Sequence, residues 1–138
     1  MAKSPPRPEE VLRAFLEGSP FVLTGPSHWN ALGLGTTALF AKQLVYNTKR
    51  TGEFSLGGQS YWLRRIKFPP NPPVEWYVVD LFEHASMAGA SEEQLVVALT
   101  QALDEERFSQ ERLFSLAKEY GAQRTQAAIQ TAISQVAR

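Results

Sequence analysis

Few side chains in this sequence are typed and spaced for chemistry. The chain holds two histidines, His28 and His84, and no cysteine. Asp80 and His84 stand four residues apart with Glu83 beside them, so they could share one helix face as a ligand pair does. No further ligand stands at metal-site spacing, and a mixed-charge helix surface accounts for the group. Ser27 next to His28 offers a hydroxyl and a base. A hydrolase needs the base facing that hydroxyl and an acid orienting the base, and neighbours on a helix do not face each other. Ser27 reads instead as a helix cap. The glycines of GLGTT at 33–37 match neither GxGxxG nor GxxxxGK[ST], so they do not form a phosphate cradle. The acid pairs at 92–93 and 104–106 fall at expected helix ends and read as solvated. No catalytic residue, metal or cofactor is therefore expected, and the chain reads as a non-enzyme.

Binding is better supported. Residues 42–67 carry Lys42, Lys49, Arg50, Arg64, Arg65 and Lys67 against Glu53 alone, a net of +5 from six bases and one acid. Residues 68–120 carry ten acids against three bases, a net of −7, so a neutral total hides a polar distribution that can steer a charged partner. Lys49, Arg50, Arg64, Arg65 and Lys67, interleaved with Tyr61 and Trp62, are the candidate contact set. Cations of this kind meet phosphates while rings stack on bases. Arg, Trp and Tyr are equally the residues that anchor protein interfaces. Trp62 is expected in the core rather than as a stacking platform.

These residues need elements to hold them. At 138 residues and 43% hydrophobic content, the chain is long and apolar enough for one folded domain rather than a disordered one. Residues 1–7 read as a disordered tail. Pro8, Glu9 and Glu10 open a helix over 8–17 that Gly18 ends. A short buried strand is expected at 21–24, then a helix at 28–32 capped by Ser27 and stopped by Gly33. Residues 36–40 read as loop or a short extended piece. The alternation at 43–48 predicts a strand, and Gly57 with Gly58 predicts a two-residue hairpin joining 53–56 to 59–68. On the second hairpin strand neither face is cleanly apolar, so one side is expected to be exposed. The prolines of PPNPP at 69–73 mark a joint. Beyond it, 74–86 is read as helix with a strand at 76–81 as the rival. Ser91 with Gln94 is a capping box, Ser109 opens another helix closed by Gly121, and 124–136 gives the last. The class is α+β: a small antiparallel or mixed sheet with short helices over 8–68, and a C-terminal bundle of three to four helices over 74–138, in one domain. The N-terminus lacks the apolar stretch of a signal peptide, and no apolar run reaches the length of a membrane span. With no cysteine, a cytoplasmic protein without membrane contact is expected.

The clause GPSHWNALGLGTT, followed by LVYNTKRTG and a strand ending RRIKF, resembles the AbiEi-type antitoxins of bacterial type IV toxin–antitoxin systems. The residues that carry the resemblance are Gly25, Asn30, Leu32, Gly33, Leu34, Thr36, Thr37, Val45, Tyr46 and Thr48. Of these Gly25, Asn30, Gly33, Leu34, Thr36, Tyr46 and Thr48 are expected to be structural. The likeness implies a regulator that neutralises a cognate toxin, a nucleotidyltransferase-like protein. Family members have a proline and a basic residue after the threonines, where this chain has Ala38, Leu39, Phe40, Ala41 and Lys42. Many begin with a winged-helix DNA-binding domain. Only one short helix precedes the clause here, so autorepression through that module is not expected. The alternative reading is a nucleic-acid-binding transcriptional regulator that uses the helix at 27–33 and the basic hairpin.

Overall fold

The computed structural model describes residues 7–39 and 42–136, and the expected tail falls outside them except for Arg7. The chain forms two compact units: Met1–Gly25 with Phe40–Asn71, and Pro26–Leu39 with Pro72–Arg138. The last crossing lies in the proline joint. The stretch Pro26–Leu39, which the sequence reading grouped with the sheet, belongs with the helices.

The sheet unit begins with α1 (Pro8–Phe15), whose first position is the proline and whose first turn holds Glu9 and Glu10. Both features suit a helix start. Its end differs from expectation. The helix stops at Phe15, and Glu17 already takes a left-handed angle, φ 53°, ahead of Gly18 at φ 79°. The Gly18 N–H donates to Arg13 O at 2.9 Å and the Glu17 N–H to Ala14 O at 3.2 Å, the two-bond closure that satisfies the last carbonyls. Leu12 and Leu16 of this helix pack with Val45, Tyr61 and Leu63 of the sheet, all five buried.

The sheet is four-stranded and mixed, in the order β1 (Phe21–Thr24), β2 (Lys42–Asn47), β4 (Gln59–Arg65), β3 (Gly52–Leu56). β1 pairs antiparallel with β2, and β3 with β4, but β2 and β4 run parallel. Gly57 and Gly58, at φ 57° and 81°, form the turn between β3 and β4 that both positive angles require. As an inner strand, β2 is buried on both faces: Leu44, Val45, Tyr46 and Asn47 are each at most 2% exposed. β4 is the other inner strand. Its Tyr61 and Leu63 point into the α1 core while Trp62 and Arg64 on the opposite face are half-buried.

The helical unit contains α2 (Pro26–Asn30), α3 (Val74–Glu83), α4 (Glu92–Asp104), α5 (Gln110–Tyr120) and α6 (Gln123–Ser134). α2 starts at Pro26, so Ser27 lies inside the helix and is not its cap. A first-turn proline needs no backbone donor, which removes the need for one. α3 is helical, which excludes the strand alternative; its burial runs nearly all round, with Trp76, Val78, Val79, Leu81 and Phe82 at most 2% exposed. That enclosure explains the β-branched and aromatic content that had favoured a strand. Ser91 and Gln94 form the reciprocal capping box of α4, with N–H to side-chain distances of 3.0 and 3.1 Å. Ser109 caps α5 through the Arg112 N–H at 3.2 Å.

Candidate functional site

In the sheet unit the cations fall on strand ends and on the loop after β2. That loop is built by Asn47, 1% exposed. Its Oδ1 accepts the N–H groups of Lys49 and Arg50 at 2.8 and 2.7 Å. Its Nδ2 donates to Arg50 O at 3.0 Å and across to Arg64 O at 3.3 Å. An asparagine that bonds the backbone two and three residues on makes a turn of itself. The signal was present in the sequence as Asn47 ahead of a Thr-Lys-Arg-Thr-Gly loop, yet it points to structure rather than to contact.

The six cations have unequal surroundings. Lys49 pairs with Glu17, whose carboxyl is held below the usual carboxylate range by the Lys49 hydrogen bond and charge. Lys42 pairs with Glu53. The Arg50 guanidinium lies 4.8 Å from the Phe15 ring centre, and that ring in turn meets Phe54 at 5.0 Å. The Arg64 guanidinium lies 5.4 Å from the Trp62 ring centre. Arg65 and Lys67 are exposed. Tyr61 leaves the candidate set: it is 1% exposed, and burial pushes its phenol up. It alternates with Trp62 along β4, so turning one ring inward turns the other out. Trp62 is accordingly half-exposed, against the expectation that it fills the core.

On the outer face of β4, Trp62 stands opposite Leu44 on β2 and Glu53 on β3, with Arg64 two residues along. This is a ring with a guanidinium over it, edged by a carboxylate whose charge Lys42 balances. Arg65 extends from the opposite face of the same strand end. An arrangement of that kind binds an apolar or planar group on the ring and an anion on the guanidinium.

The residues of the family-like clause are mostly internal. Gly25, at φ 122°, leaves room only for a hydrogen: a Cβ there would lie 3.3 Å from the Leu44 backbone nitrogen. Gly33, at φ 71°, faces the Arg107 guanidinium, which donates to Leu32 O; a Cβ would come within 2.7 Å of it. The Asn30 Nδ2 donates to Ala38 O at 3.0 Å, and Leu34, Thr36 and Tyr46 are buried. Thr48 is exposed beyond the end of β2.

In the helical unit, Asp80 and His84 do share a helix face, with Oδ1 and Nδ1 3.5 Å apart, while Glu83 turns elsewhere. Asp80, 4% exposed, accepts the Trp29 indole N–H at 2.9 Å. The His84 ring stacks on Trp29 at 5.3 Å, with its Nδ1 2.9 Å from Asp80 O. Glu83 instead accepts the Ala122 N–H and the Thr125 hydroxyl. Ser27 Oγ and His28 Nδ1 are 3.5 Å apart, at the outer limit of a hydrogen bond, and the His28 ring stacks on Tyr77 at 5.3 Å. Among the described residues no three His, Asp or Glu side chains converge on one metal position. Among them, too, no helix is long and apolar enough to cross a membrane. Compared with protein-family models, with curated proteins and with solved structures, the chain finds no match in any of the three.

Proposed function

We propose that this chain is a non-enzymatic, cytoplasmic regulator of the antitoxin type, which binds a protein partner through the outer face of β4 and neutralises a nucleotidyltransferase-like toxin. What supports the protein-binding part is the Trp62 platform itself. Its ring is half-buried beneath Arg64, with part of its face open, and Glu53 stands directly opposite it on β3. A surface that follows a phosphate backbone gathers unopposed cations. Here two of the lysines, Lys42 and Lys49, are matched by Glu53 and Glu17, and the mixed charge suits a protein better. Trp and Arg are among the side chains that dominate protein interfaces. The antitoxin part rests on the residues of the family-like clause, and toxin and nucleic acid remain the two contrasting partners to test.

The test begins with the gene beside this chain: a nucleotidyltransferase-like reading frame is expected there, its product is co-expressed with the chain for affinity capture, and the lack of such a neighbour counts against the reading. Capture that Arg64→Glu with Arg65→Glu abolishes, together with growth rescue by the unmodified chain alone, is the expected result. Capture unaffected by that double change would place the interface elsewhere. Tight binding of a DNA or RNA oligonucleotide that collapses between low and moderate salt would replace this reading with the nucleic-acid one.

A further inference from the structure

β3 is an outer strand of the sheet, with Glu53 and Ser55 exposed on it. Natural edges are blunted by proline, lysine, a bulge or a covering element. The five residues of β3, GEFSL, include neither proline nor lysine. Their register with β4 runs unbroken from Gly52 opposite Leu63 to Leu56 opposite Gln59, so no bulge turns the edge away. The one charge on the strand, Glu53, is neutralised by Lys42.

The hairpin decides which backbone groups face outward. A two-residue turn makes its flanking residues, Leu56 and Gln59, a hydrogen-bonded pair. Bonded and non-bonded pairs alternate from there. Phe54 and Gly52 therefore bond to β4, while Ser55 and Glu53 turn their N–H and C=O groups to the open side.

We propose that this edge pairs with β3 of a second copy of the chain, antiparallel, about a two-fold axis at Phe54. That register sets Glu53 opposite Ser55 of the second copy and Ser55 opposite its Glu53, and each pair exchanges both backbone bonds. No acid then meets an acid. The neighbouring registers that keep bonding groups matched are worse: one sets Glu53 against its own copy, and the other leaves it opposite Gly57 in the turn. Phe54 meets its own copy as a non-bonded pair, the closer kind, and cross-strand aromatic pairs are favourable. The Phe15 ring, 5.0 Å away, lines the same face. This dimer goes beyond the toxin-binding reading and does not depend on it, since Arg64 and Arg65 take no part.

Sedimentation velocity over a concentration series of the full chain reads the equilibrium, with far-ultraviolet circular dichroism to verify folding. The unmodified chain is expected to shift reversibly from monomer to dimer. Ser55→Pro deletes an outward donor without deleting a β3–β4 bond and is expected to stay monomeric. Ser55→Glu opposes carboxylates at both pairs, and Ser55→Lys opposes unlike charges. Their dissociation constants are expected to move in opposite directions, by roughly threefold to tenfold each, from two cross-strand pairs. These two variants keep the backbone donor, so they decide the matter even if the proline variant fails to fold. A chain monomeric at every concentration overturns the proposal, as does a dimer held equally tightly by Ser55→Glu and Ser55→Lys.

Discussion

In the helical unit three carboxylates of α3, two of them buried, each accept from a named donor, whereas in the sheet unit the cations stay at the surface and lean on acids or rings. Glu75, 3% exposed, accepts the N–H of Ser109 at 3.0 Å. Asp80 accepts the indole of Trp29, and Glu83 the N–H of Ala122 at 3.0 Å. Ser109 and Ala122 are the N-caps of α5 and α6, so two acids of α3 lie at two helix N-termini, where the backbone dipole favours negative charge. Lys42 and Lys49, by contrast, pair at the surface with Glu53 and Glu17, where an ion pair contributes little. Counting charges along the sequence therefore overstates the acidity that a partner meets. It also overstates the free positive charge of the hairpin.

The sharpest way to break this contrast is at Asp80. Trp29→Ala removes a fully buried indole and the hydrogen bond it donates to Asp80; a loss of about 3–5 kcal/mol in chemical denaturation is expected. Trp29→Phe keeps most of the apolar volume and deletes only the indole donor, while the His84 ring stays 3.5 Å from the Asp80 carboxylate, so a loss of about 1–3 kcal/mol measures that one bond. A Trp29→Phe chain as stable as the original would mean the indole bond contributes nothing. Next in size come the helix caps. Glu83→Ala is expected to cost about 1–2 kcal/mol, while Arg124→Ala, whose guanidinium is 3.9 Å away and exposed, is expected to change stability by less than about 0.5 kcal/mol. Equal losses from the two would show that the ion pair, not the cap, carries the effect.

These roles were only partly legible in the sequence. Local chemistry was: Ser91 with Gln94, Ser109, the Gly57 and Gly58 turn and Pro8 each act within a few residues of themselves, and each element formed. Pairing over distance was not. Nothing in QLVYN or in SYWLR states that these strands run parallel, because the partner lies beyond a hairpin in the chain. That pairing makes both of them inner strands, which is why Tyr61 is buried and Trp62 is left half-exposed. The same limit hid the inward acids, since Glu75 meets Ser109 across 34 residues and Glu83 meets Ala122 across 39. On the surface contact set, spacing found Arg64 and Arg65 correctly as neighbours on one strand, but it could not find the acids opposite Lys42 and Lys49.

The smallest expected effect sharpens the contrast from the sheet side, where the buried Tyr61 offers a phenol rather than a carboxylate. Burial raises the Tyr61 phenol above its ordinary value of 10.0, with Glu9 adding to the shift. A raised value means that the folded chain prefers the neutral phenol. The stability it contributes is fully present below the unfolded value and is lost as pH rises through the folded one. Denaturation midpoints should therefore hold steady through neutral pH and fall on the alkaline side. Tyr61→Phe should flatten that fall without abolishing it, because Tyr77 in the helical unit is raised as well, by burial first and by Asp80 second. An alkaline limb unchanged by Tyr61→Phe would show that the Tyr61 phenol contributes nothing to it.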